Sequence, residues 1–272
     1  MKRIKLLIIF LSIVNATVFA QASGSISPAV YYTYGSYDNS NTSQGIAGYA
    51  SLQLGINDLI VAAYENLKIK SEFWEYKQNF GALGYFKTLF PFYFNLSLAY
   101  VDGRLNVPLF DYGYKDEIFL GNFDFSYNYD FYFFGAGATV QKLKGLYNIN
   151  TRFYYLKLSW TPETNFSLTF KPGYTKTNDG REYYSLGAKI YYSPFYFLNF
   201  TAVGFAGKRV FYFDPDFLTN FNQYETQKNS FGVFIKIIPY KYLTVITGYN
   251  YADFTDYKIN YYTLGLKYYF GF

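Results

Sequence analysis

Apolar residues alternate with small or polar ones along most of this chain, in segments of about ten residues. The last segment shows the pattern best. Tyr262, Leu264, Leu266, Tyr268, Phe270 and Phe272 share one face; Tyr261, Thr263, Gly265, Lys267, Tyr269 and Gly271 share the other. Similar alternation covers Phe92–Tyr100, Phe119–Tyr129, Tyr154–Trp160, Phe166–Lys171 and Ser230–Ile237, and it is weak over Ile46–Leu54 and Asn79–Leu89. A period of two predicts strands with one apolar face. A soluble antiparallel sheet alternates as well. Two features argue against one here. The second face is rich in Gly, Ser, Ala and Thr and poor in charge, and aromatics bunch at strand ends, as in Phe90–Phe94, Tyr129–Phe134, Tyr191–Phe197 and Tyr240–Tyr242.

Turn signals come in two alternating kinds. Short ones fall near Gly55–Asp58, Phe90–Pro91, Tyr129–Asp130, Pro162–Asn165, Ser193–Pro194 and Pro239–Lys241. Longer polar stretches fall near Ser36–Gln44, Lys70–Glu75, Asp102–Asp116, Lys142–Asn150, Lys176–Glu182, Lys208–Asn229 and Asp253–Tyr257. Together they imply about 14 strands, within a range of 12–16, with both chain ends on the short-turn side.

Composition narrows the class. The 272 residues include 35 Tyr and 31 Phe, but no Cys and no His. Disulfides, thiol chemistry and His-dependent acid–base or metal chemistry are therefore absent. We expect no enzyme, no cofactor and no metal site. Residues 1–20 read as a cleaved leader: Lys2, Arg3 and Lys5 precede the apolar run Leu6–Val14, and Val18–Phe19–Ala20 supplies a cleavage site. Without the three leader cations, 21 of the 24 basic residues face 19 acidic ones. The mature chain is nearly neutral, so its charge does not point to nucleic acid.

These features resemble a bacterial outer-membrane β-barrel protein of the porin-like kind: a leader, strands with a period of two, aromatic girdles and a terminal Phe272. The resemblance implies an all-β fold, one antiparallel transmembrane barrel over residues 21–272, in the outer membrane with both termini periplasmic. Tyr268, Phe270 and Phe272 resemble the signal read by the barrel-assembly machinery. Outer-membrane lipid and lipopolysaccharide would be the surroundings. Few residues separate the leader from the first strand near Ser25, so no plug domain is expected. The outer-membrane barrel enzymes of the phospholipase, acyltransferase and deacylase kinds rely on a histidine, which this chain lacks.

Candidate functional residues follow from the expected faces. Lys87, Lys157, Lys189, Lys236 and Lys267 each precede a short turn by a few residues, and Lys171 and Asp124 join them on the inward face. Such a ring would line the pore and favour anions; alternatively the lysines pair with acids or snorkel to the interface. Lys208–Asn229, with Lys208, Arg209, Asp214, Asp216 and Glu225 among many aromatics, is a candidate constriction loop; the alternative is barrel wall with a short loop. Asp214–Pro215–Asp216 lacks calcium-loop spacing. Asp102, Asp111, Asp116 and Glu117 read as a solvated face. The function expected is a channel for passive or weakly selective diffusion of small hydrophilic solutes, possible anion preference included. The alternative is an occluded structural or partner-binding barrel, narrowed by Tyr191, Phe234, Tyr261 and Tyr269. Oligomeric state and solute identity are not written in the sequence.

Overall fold

The computed structural model describes residues 24–110, 112–214, 219–221 and 224–272; the leader lies outside them. The strands are β1 (Gly24–Tyr37), β2 (Thr42–Leu54), β3 (Asp58–Lys70), β4 (Glu75–Leu89), β5 (Phe92–Val107), β6 (Tyr112–Tyr129), β7 (Tyr132–Lys144), β8 (Ile149–Glu163) and β9 (Phe166–Thr177). They continue as β10 (Glu182–Phe195), β11 (Leu198–Arg209), the short β12 (Tyr212–Asp214) and β13 (Thr219–Phe221), then β14 (Gln227–Tyr240), β15 (Leu243–Phe254), β16 (Lys258–Tyr268) and β17 (Phe270–Gly271). Every wall strand pairs antiparallel with the next, and β14 follows β11 in the wall. β16 and its continuation β17 pair with β1, from Tyr37↔Ile259 down to Ser25↔Gly271, which closes a barrel of 14 strands. β12 and β13 form a separate hairpin.

Closure leaves no free sheet edge, which is the condition for a sheet to cross lipid. Stepping across paired residues from Gly24 through Leu54, Asp58, Lys87, Phe94 and Phe125 and onward to Lys258 returns to Asp38. The stagger is therefore 14 residues in 14 strands. With ordinary strand spacing this tilts the strands by about 35° and gives a backbone radius of about 13 Å.

At one end the strands are joined by turns of two or three residues, such as 55–57, 130–131 and 196–197. The opposite end is shorter in loops than the polar stretches suggest. Of the expected 102–116 loop, β5 runs to Val107 and β6 starts at Tyr112, with a 3-10 turn at Pro108–Phe110 between them, and most other connections there have three or four residues. Polarity in these stretches marks wall that stands in water above the lipid, where a paired strand continues undisturbed. One connection, 210–226, is long.

The outer face is a belt. Val30, Leu83, Leu98, Phe123, Leu156, Ile190, Phe231 and Leu264 all point outward and exposed. Among the described residues, outward charges lie only at its rims: Lys87 with Asp58 below, and above a crown that includes Lys68–Glu75, Lys115–Glu117 and Lys176–Glu182 pairs. Between the rims run about 23 Å of uncharged wall, close to the apolar height of a membrane barrel. Tyr268, Phe270 and Phe272 all face outward near the short-turn rim.

Candidate functional site

Pairing register fixes the inward face of each strand. Odd-numbered residues point inward on β1–β3, β5, β7–β11 and β16, and even-numbered ones on β4, β6, β14 and β15, as the cavity lining and buried positions show. Lys157, Lys171, Lys189, Lys236 and Lys267 thus all line the lumen. They occupy β8, β9, β10, β14 and β16, and once the strand tilt is taken into account they fall within a band about 8 Å tall. Lys236 stands within electrostatic reach of Lys189 and Lys267. Lys171 lies over the Tyr155 ring at 4.0 Å.

Lys87 is not among them. On β4 the inward set is Gln78, Phe80 and Ala82, so Lys87 points outward, where its Nζ holds the Asp58 carboxylate at 2.8 and 2.9 Å. The Tyr85 hydroxyl donates to the same carboxylate at 2.5 Å. Small residues on both faces of β4 (Gly81, Ala82, Gly84) hid its phase in the sequence. Asp124 does face inward, but it is buried in the wall, where Ser126 Oγ donates to it at 3.4 Å. Beside it Asn122 accepts hydrogen bonds from Thr139 and Tyr155 at 2.9 and 3.1 Å.

The first part of the 210–226 connection, Val210–Phe213, folds into the barrel. At Gly207 the backbone has φ 109°, and a Cβ there would sit 2.5 Å from the Tyr184 carbonyl oxygen. Only glycine fits this position comfortably. The bulge it permits, between Ala206 and Arg209 in the β11–β14 ladder, turns the chain inward. Lys208 stays exposed at the rim, whereas Arg209 is buried. Its guanidinium is sandwiched between the Phe205 and Tyr212 rings, 3.8 Å from each, and Nε donates to Gln227 Oε1 at 2.6 Å.

Beyond Arg209, Val210, Phe211 and Phe213 are 2%, 3% and 1% exposed. They join one apolar cluster with Phe80, Val101, Ile118, Leu143 and Ile149, on the inner faces of β4–β8. Tyr212 packs edge-on to Phe153 at 5.3 Å. The return leg is tied down from neighbouring loops. Arg181 donates to the Tyr224 carbonyl at 2.9 Å and stacks on the Tyr224 ring at 4.7 Å, and the Tyr147 and Tyr224 rings stack at 4.8 Å. Arg181 also grips Asp179, holding that carboxyl below its usual range. Glu225 is raised by burial first, then by the neighbouring negative charge of Asp256. Asp216 and the side chain of Asp214 lie outside the described residues.

The described part of the hairpin leaves a cavity of about 1450 Å³, lined mostly by β1–β3 and β8–β16 and, toward the far end, by Gln78, Leu105, Asp116 and Leu143 beside the hairpin. Its lining runs from Ser25, Gln53 and Tyr269 near the short turns to Asn39, Tyr147 and Tyr257 at the far end. Tyr191, Phe234 and Tyr261 line it without closing it. Glu65 on β3 also lines it, and the sequence reading missed this residue. The signal was available: a lone carboxylate between Tyr64 and Asn66 in a lipid-crossing strand must turn inward.

No protein-family model and no curated protein matches the chain. Solved structures do. The toluene transporter TodX of Pseudomonas putida is 9% identical over 94% of this chain and 91% of its own, with a TM-score of 0.56. The deltaS2S3 mutant of TodX, a monoaromatic hydrocarbon channel, is 8% identical over 94% of this chain and 92% of its own, at 0.57. The translocator domain of the autotransporter NalP from Neisseria meningitidis is 11% identical over 98% and 95%, at 0.47. The fold is that of an outer-membrane β-barrel. The uncharged belt and its aromatic rims are what such a barrel presents to outer-membrane lipid. Identity this low carries the fold and nothing finer.

Proposed function

We propose that this barrel is an outer-membrane channel for small hydrophilic solutes, driven by diffusion and biased toward anions. The observation that carries the reading is the arc of five lysines on the wall of a cavity that extends between the two ends of the barrel. Ammonium groups in a narrow, low-dielectric lumen attract anions and repel cations. The inward hairpin sets the width and the lysines set the charge. TodX is a toluene transporter; an uncharged hydrocarbon gains nothing from five ammonium groups, so we place this lumen with polar solutes. Absence of His and Cys supports transport over catalysis. In this reading the leader is removed, both termini are periplasmic, and the outward Tyr268, Phe270 and Phe272 face the assembly machinery.

The test is reversal potential in a planar bilayer under a salt gradient. Lys189→Glu with Lys236→Glu changes lumen charge by four units, and the potential should move toward cation preference. An unchanged potential refutes the charge reading. Deleting residues 214–223 should raise single-channel conductance. A second reading, an occluded barrel that serves as an anchor or partner-binding platform, is favoured by one observation: the buried hairpin residues Val210–Phe213. Folded protein that passes no current would select it.

A further inference from the structure

The lumen carries ionisable groups of both signs, and Glu65 stands well away from Lys236 and Lys267. Glu65 points into the cavity from β3, and among the described residues no cation or hydrogen-bond donor is paired with it. Its carboxylate occupies space left by Gly45, where a Cβ would lie 3.1 Å from Oε1. Tyr49 and Tyr261 flank it. Lys236 and Lys267 line the same cavity from β14 and β16, also without a carboxylate partner among the described residues. Register and tilt put Glu65 about 14 Å higher along the barrel axis than these two lysines. A lysine side chain spans about 6 Å, so a gap of roughly 8 Å or more separates the charges. The wall between them is polar, with Thr263 and Asn250.

An enclosed charge without a partner is costly, and a bridging ligand with the complementary charges relieves both ends together. A simple anion relieves only one. We propose that the lumen binds zwitterions whose ammonium and carboxylate groups are well separated, namely linear ω-amino acids and short peptides. Glu65 receives the ammonium group, and Lys236 with Lys267 receive the carboxylate. The proposal rests on the channel reading of the same lumen and narrows its solute class.

Two measurements on the full mature barrel separate the proposal from that reading. Single-channel current in KCl tests the channel. Saturation-transfer NMR on detergent-refolded barrel tests the site without needing current, with glycine, 4-aminobutyrate, 6-aminohexanoate, hexanoate, hexylammonium and triglycine as probes. We expect 6-aminohexanoate and triglycine to bind best, and glycine, hexanoate and hexylammonium each to bind about tenfold or more weakly, as loss of one charge-assisted contact implies. Glu65→Gln should reduce 6-aminohexanoate to the level of hexanoate. Lys236→Gln with Lys267→Gln should reduce it to the level of hexylammonium. Heat-modifiable gel migration checks that each variant is folded. Equal binding of hexanoate and 6-aminohexanoate overturns the proposal while leaving the channel intact, and so does unchanged zwitterion binding in folded Glu65→Gln. Selective zwitterion binding by a barrel that carries no current keeps the site and refutes the channel.

Discussion

Phe213 is the deepest anchor of the inward hairpin, and replacing it tests whether that hairpin sets the pore. Its side chain is 1% exposed and packs with Phe80, Val101 and Ile118 inside the barrel. Phe213→Ala removes a fully buried ring and leaves a cavity, a change that costs about 3–5 kcal/mol in a packed core. All of that cost falls on hairpin docking, because Phe213 takes no part in the 14-strand wall ladder. Each 1.4 kcal/mol is tenfold, so the docked-to-undocked ratio should fall by about 10² to 4 × 10³. The barrel itself should keep its heat-modifiable migration. Single-channel recordings should show more frequent and larger conductance steps, and protease should cut within 210–226 where the parent protein resists. Tyr196→Ala serves as a control, since Tyr196 is 89% exposed in a short turn far from the hairpin. Parental conductance and protease resistance in Phe213→Ala would refute the idea that the buried hairpin is a constriction.

Gly207→Ala should mimic hairpin release, because φ 109° and the 2.5 Å approach to the Tyr184 carbonyl exclude a Cβ; limited proteolysis of the loop reads it. Acidification should seat the return leg. Burial and the Asp256 charge raise Glu225 above its usual range, so its protonated form is favoured when docked. Docking is therefore strongest at low pH and weakens as pH rises through the raised carboxyl, with Arg181 opposing the shift. Conductance should fall on acidification, and Glu225→Gln should flatten that profile. Lys87→Gln should leave the reversal potential unchanged, since Lys87 faces outward against Asp58; a cation-ward shift like that expected for Lys189→Glu would contradict its outward placement.

Most of the wall was legible in the sequence because lipid demands the same thing of every strand. A strand that crosses it must show apolar groups on one face, so a period of two survives wherever the inward face carries polar or small residues. β16 is the clearest case, with Leu264 and Leu266 outward and Thr263 and Lys267 inward. The phase of β4 was illegible for the converse reason. Its inward residues Phe80 and Ala82 are apolar because the hairpin covers them, so both faces look alike. The same physics hid where the hairpin goes: aromatics at Phe211, Tyr212 and Phe213 announce burial, but only closure of the barrel places the apolar inner faces of β4–β6 opposite them. Those two illegible features are one feature, seen from its two sides. Where the inner wall is apolar, the hairpin must sit, and the lysines must be elsewhere. The lysines do lie elsewhere, on the arc from β8 to β16. Width and charge are thus built on largely separate stretches of the lumen wall that meet at β8, and Lys189 and Lys236 stand well away from Phe213; substitutions at Phe213 should change conductance with little effect on selectivity, while those at Lys189 and Lys236 should do the reverse.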